Sequence, residues 1–83
     1  MTIGDFFFDP DTLTVPLGTT VCWGNAGQIP HTVTSDSGNE LDSPVIHSGE
    51  TYVHTFTTAG TYAYHCALHP FMTGIVHVRR RGT

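Results

Sequence analysis

Four side chains in this sequence could do the most chemistry. Cys66, His69 and Met72 stand three residues apart, and His31 lies far upstream in the stretch IPHTV. A thiolate, an imidazole and a thioether so close together form a soft donor set, which selects copper over hard cations. His31 offers a second imidazole. Two imidazoles, one thiolate and a weakly bound thioether are the ligand set of a redox copper centre. Zinc would accept the imidazoles and the thiolate too, but it brings no redox couple. Taken singly, each residue has an ordinary alternative. His31 would be a loop histidine, His69 a turn residue before Pro70, Met72 core filler and Cys66 a buried small hydrophobe. The order and spacing of all four together favour the metal.

Strands must position these residues, because the chain alternates with period two and shows no apolar stripe at helical spacing. Leu13 and Val15 alternate, as do Val21 and Trp23; Tyr52, His54 and Phe56 share a face, and so do Tyr62, Tyr64 and Cys66, with Val76 and Val78 closing the series. Turn residues at Pro10, Gly18, Gly27, Gly38, Gly49, Gly60 and Gly74 punctuate these runs. The expectation is an all-β, antiparallel sandwich or barrel forming one domain over residues 1–83. Phe6 and Phe8 are expected to point into its core and Phe7 outward. Residues 35–48 read as a long irregular connection with room for one short helical turn. Alternation turns Cys22 away from Val21 and Trp23, as a free thiol.

The other histidines bear on a second metal. If strands 60–66 and 72–78 pair across the ligand loop, His65 lies opposite Thr73 and His77 near Thr61, about 13 Å along the strand. The two cannot then share an ion within one chain. A second copper involving His65 would need another subunit, which keeps open an alternative: a module of a larger or oligomeric copper oxidase or reductase. His47 falls in the loose connection and is expected to be solvated. His54 faces inward by parity, as a hydrogen-bonded core histidine.

Composition narrows the classes further. A chain of 83 residues has room for one core, and 39% apolar with 12% charged residues is too apolar for disorder. The net charge is −4, and all three basic residues sit together at Arg79, Arg80 and Arg81. No basic face exists for nucleic acid, and the run reads as a solvated end. No apolar run is long enough to span a membrane. The start, MTIGD, lacks the basic and apolar regions of a signal peptide, so a cytosolic segment or a mature domain cut from a precursor is expected. With two Cys and two Met, the chain is poor in the soft donors that copper storage would use.

Residues 60–78, containing GTYAYHCALHPFMTG, resemble the ligand loop of the cupredoxins. FFFDP, TVPLG, VCWGN and Pro30-His31 are similar to the amicyanin, plastocyanin and halocyanin group within them. The resemblance implies a Greek-key sandwich with one copper held at one end by His31, Cys66, His69 and Met72. It implies a non-enzymatic, monomeric carrier that passes single electrons between redox partner proteins, in the periplasm or at the cell surface. An apolar patch of Ile29, Pro30, Leu68, Pro70 and Phe71, extended by Leu17, would ring His69 for docking. Two departures stand out. Thr32 replaces the Asn that in many relatives ties the ligand loops together, and Cys22 sits where Thr is usual.

Overall fold

Alternation along the fourth strand shows how the core is built. Val21, Trp23 and Asn25 are buried while Thr20 and Cys22 face solvent, so Cys22 is a free, exposed thiol on the side opposite its apolar neighbours. The computed structural model describes residues 1–80, and Arg81 lies outside them. Among the described residues there are eight strands: β1 (Thr2–Gly4), β2 (Phe7–Asp9), β3 (Thr12–Pro16), β4 (Thr20–Asn25), β5 (Thr34–Ser35), β6 (Thr51–Thr55), β7 (Gly60–Cys66) and β8 (His69–Arg79). They form two four-stranded sheets, β2-β1-β4-β6 and β3-β8-β7-β5. The sandwich is the expected one. Two of its pairings, β1 with β4 and β3 with β8, are parallel rather than antiparallel. Both join strands far apart in sequence, where the intervening chain supplies the crossover that a parallel pair requires.

Ile3, Phe8, Val21 and Trp23 from one sheet meet Val15, Tyr64, Val76 and Val78 from the other, all buried. Tyr64 ties the layers together. Its hydroxyl accepts from Trp23 Nε1 at 3.3 Å, and its ring meets those of Trp23 and Phe8 edge-on. Gly74, opposite Tyr64 on β8, leaves room for that ring, since a Cβ there would lie 2.4 Å from its Cζ.

The three consecutive phenylalanines divide differently from the expectation. Phe8 is buried and Phe7 exposed, as the pattern requires, but Phe6 is 46% exposed and does not enter the core. The reason is local. Asp5 and Phe6 form the corner between β1 and β2, and Phe6 turns it with a φ of 76°, which few non-glycine residues adopt. A residue outside the strand is not bound by strand parity.

Residues 35–48 hold no helix, yet they are well tied. The connection folds back along residues 31–35, burying Leu41 and Ile46. His31 and Ile46 exchange both backbone bonds, at 3.1 and 2.8 Å, and Ser35 and Ser43 add side-chain bonds to Leu41 and Val33. This return segment clamps the backbone of His31 from behind.

Candidate metal centre

Three of the four expected ligand residues converge at one end of the sandwich. Cys66 ends β7, where a register irregularity between His65 and Cys66 precedes the two-residue turn Ala67-Leu68. His69 opens β8 and pairs back with Cys66. His31 comes across from the β4–β5 connection. Cys66 Sγ lies 3.5 Å from His69 Nδ1 and 3.8 Å from His31 Nδ1. The three donor atoms lie within 4.8 Å of one another, and among the described residues this is the one cluster of its kind. Met72 is buried three residues beyond His69, on the inward face that β8 shares with Gly74, Val76 and Val78.

The donor chemistry fits a soft or borderline ion. Both imidazoles turn the same atom, Nδ1, toward the sulfur, and Cys66 and His31 are fully buried. The Thr32 backbone N–H donates to Cys66 Sγ at 3.4 Å, which fixes the sulfur against the His31 loop. Thr32 also answers the departure noted in the sequence. Its hydroxyl accepts from the Ala67 N–H at 2.7 Å, so the two ligand loops are tied by threonine instead of asparagine.

Two residues that the sequence reading passed over complete the frame. Asn25 is buried, donating from Nδ2 to the carbonyls of Ile29 and Ile46 and accepting from the Gly27 N–H. Asp5 accepts from the N–H groups of Gln28 and Ile29, and its Oδ1 lies 3.3 Å from His31 Nε2. The Gln28 N–H above all holds the Asp5 carboxyl below its ordinary range. Desolvation opposes this, while Ile29 and His31 add to it. No local pattern in the sequence signals this role, because Asp5 meets His31 across 26 positions.

His69 is half-buried and reaches the surface beneath aromatic cover. The Phe6 ring stands edge-on to His69 at 5.1 Å and to His31 at 6.3 Å, and Phe71 lies 6.0 Å from Phe6. Phe71 is 71% exposed and Leu68 51%. Pro70 is exposed as well, and Ile29 and Pro30 are half-buried. Leu17 does not belong with them. It follows β3 beside Arg79, at the far end of β8 from His69, and lines a cavity of about 500 Å³ with Thr57, Thr58, Ala59 and Arg80.

The remaining histidines have carboxylate or hydroxyl partners. His65 pairs with Thr73 and His77 with Thr61, the expected register. His65 Nδ1 bonds Asp36 Oδ1 at 2.6 Å, and no third donor joins them among the described residues. His54 is half-buried against Phe56 and bonds Glu40. His47 is exposed and bonds Glu50, whose carboxyl is lowered chiefly by the His47 backbone N–H.

Comparison with known proteins agrees with this geometry. The sequence is 41% identical over 75 residues to amicyanin of Paracoccus denitrificans, covering 86% of this chain and 57% of that protein. It is 35% identical over 80 residues to plastocyanin of Scenedesmus fuscus, covering 80% and 78%. The chain thus spans little more than half the length of the amicyanin. Among solved structures, a reduced amicyanin variant superposes with a TM-score of 0.87 at 40% identity, covering 94% of this chain and 78% of that one. A purple cupredoxin from Nitrosopumilus maritimus gives 0.80 at 36% identity, covering 87% and 81%. The sequence model for copper binding proteins of the plastocyanin/azurin family matches residues 1–79. Sequence and fold meet in one placement, and the chain belongs to the plastocyanin/azurin family of copper binding proteins.

Proposed function

We propose that this chain is a one-electron carrier with a single copper ion held by His31, Cys66, His69 and Met72. The convergence of two Nδ1 atoms on the Cys66 sulfur carries the reading, because the set suits copper, and zinc, which would also accept it, brings no redox couple. Copper bound there supplies the Cu(I)/Cu(II) couple. The chain does the rest. Cys66 binds as a thiolate and the histidines as neutral imidazoles, so all three must be free of competing protons. The tie between Thr32 and Ala67, and the Ile46 clamp on His31, hold the donors in place whichever charge the site carries. That limits the rearrangement accompanying each transfer. Burial of His31 and Cys66 excludes water from two of the donors.

His69 is the donor nearest solvent, and the apolar surface around it supports docking. Ile29, Pro30, Leu68, Pro70 and Phe71 form the rim, joined by Phe6. Small, weak interfaces suit redox encounters, which must form and separate quickly. No catalytic turnover is proposed, and likeness to amicyanin supports a periplasmic or cell-surface setting.

The test is copper loading with a metal count and a visible spectrum. One copper per chain should give an intense thiolate-to-copper absorption that bleaches on reduction and returns on oxidation. Cys66→Ser should lose it. A folded wild-type protein that stays colourless after loading and oxidation refutes the proposal.

A further inference from the structure

We propose that Asp5 is a positioning residue of the copper centre, fixing the tautomer in which His31 presents an unprotonated Nδ1 to the metal. The inference rests on the copper reading above. The His31 ring is fully buried, and its two nitrogens face different partners: Nδ1 faces Cys66 Sγ at 3.8 Å, and Nε2 faces Asp5 Oδ1 at 3.3 Å. A neutral imidazole carries one ring proton, and an ionised carboxylate can only accept. The proton therefore sits on Nε2. Nδ1 is left with its lone pair directed at the sulfur, where a metal would lie.

The placement of Asp5 is built from several sides. The Gln28 N–H reaches both carboxylate oxygens at 3.0 Å and the Ile29 N–H reaches Oδ1 at 3.2 Å. Gly27 makes the approach possible, because a Cβ there would lie 2.2 Å from Oδ1 and 3.0 Å from the Asp5 nitrogen. The Gly27 N–H is in turn held by Asn25 Oδ1 at 2.9 Å. The carboxylate is thus fixed by the loop that carries His31, and cannot swing away without breaking those bonds. A carboxylate behind a ligating histidine orients the ring and makes it a stronger donor. Its negative charge also favours the more highly charged metal state, so removing it should raise the reduction potential.

A plain loop cap would explain the bonds to Gln28 and Ile29 but not an effect on the metal, and two variants separate the cases. Asp5→Asn keeps an acceptor oxygen for the loop and removes the charge; Asp5→Ala removes both. In the copper-free wild-type protein, ¹⁵N NMR of the imidazoles should show His31 protonated on Nε2. Asp5→Ala should mix the tautomers and weaken copper binding by roughly 10- to 100-fold. Asp5→Asn should fold normally, bind copper more weakly than wild type and show a raised potential. Asp42→Asn, which neutralises an exposed carboxylate elsewhere, should leave the potential unchanged. Nδ1 protonation in the copper-free wild type overturns the proposal, as does a wild-type potential in Asp5→Asn or an equal shift in Asp42→Asn. Failure of the copper reading would look different. The wild type would then take up no copper, while its copper-free tautomer would still report on Asp5.

Discussion

Replacing Thr32 by valine keeps the shape of the side chain and removes the hydroxyl that ties the His31 loop to the Cys66 loop. The Ala67 N–H then loses its acceptor at 2.7 Å, and the Thr34 hydroxyl loses a neighbour at 3.0 Å. Thr32 is buried, so little water can enter to replace the bond, although the Ala67 side is more open. Leaving such a donor unpaired costs about 1–2 kcal/mol. In a domain of this size each kcal/mol moves the melting temperature by roughly 4–8 °C. The copper-free variant should therefore melt roughly 4–16 °C below wild type in a thermal scan followed by far-UV circular dichroism. Thr32→Ser, which restores the acceptor, should recover most of that difference. The same loosening lets Cys66 drift relative to His31, so copper should leave Thr32→Val faster when a competing chelator is added. If Thr32→Val melts with the wild type while Thr32→Ser does not, the tie contributes nothing and the reasoning fails.

Three further outcomes follow from other parts of the molecule. Met72→Gln should retain copper and lower the reduction potential, measured by protein-film voltammetry, because a stronger axial donor favours the oxidised ion; an unchanged potential would remove Met72 from the ligand set. Phe71→Ser, at a side chain 71% exposed, should change stability by less than about 0.5 kcal/mol while slowing electron exchange with a protein partner in stopped-flow. Burial pushes the Tyr64 phenol above its ordinary value. The stability it gives is fully present below pH about 10 and lost as pH rises through the higher folded value. Tyr64→Phe should lose roughly 1–2 kcal/mol at neutral pH, from the bond to Trp23 Nε1, yet show a shallower decline in alkaline urea titrations.

What the sequence disclosed was mostly local. Alternation placed Val21 and Trp23 inward and Cys22 outward, because strand parity is set by the backbone alone. The Cys66–His69 hairpin and the His65–Thr73 register follow from spacing within one short loop. Long-range placements were harder to read. Asp5 meets His31 across 26 positions, and Asn25 works through the carbonyls of two separate loops, which no nearby pattern encodes. Phe6 departs from the expected alternation because parity applies only within a strand, and Phe6 lies in the left-handed corner between β1 and β2. Leu17 sits in an apolar motif that looks suited to the copper end, but β3 runs parallel to β8 and carries it to the opposite pole. Two parallel pairings in a sandwich of short strands leave no signature in a period-two pattern.

The last strand has a double duty. β8 carries His69 at its start and closes the second sheet against β3, pairing Ile75 with Thr12 some 63 positions earlier in the chain. Contacts this distant slow folding, because loop-closure entropy is lost before they form. Of the donors, Cys66 and His69 meet within one hairpin, whereas His31 must be brought to Cys66 across 35 positions. The strand that begins at the metal end thus also ends against Pro16 at the opposite end of the sandwich, so one element spans both poles of the domain.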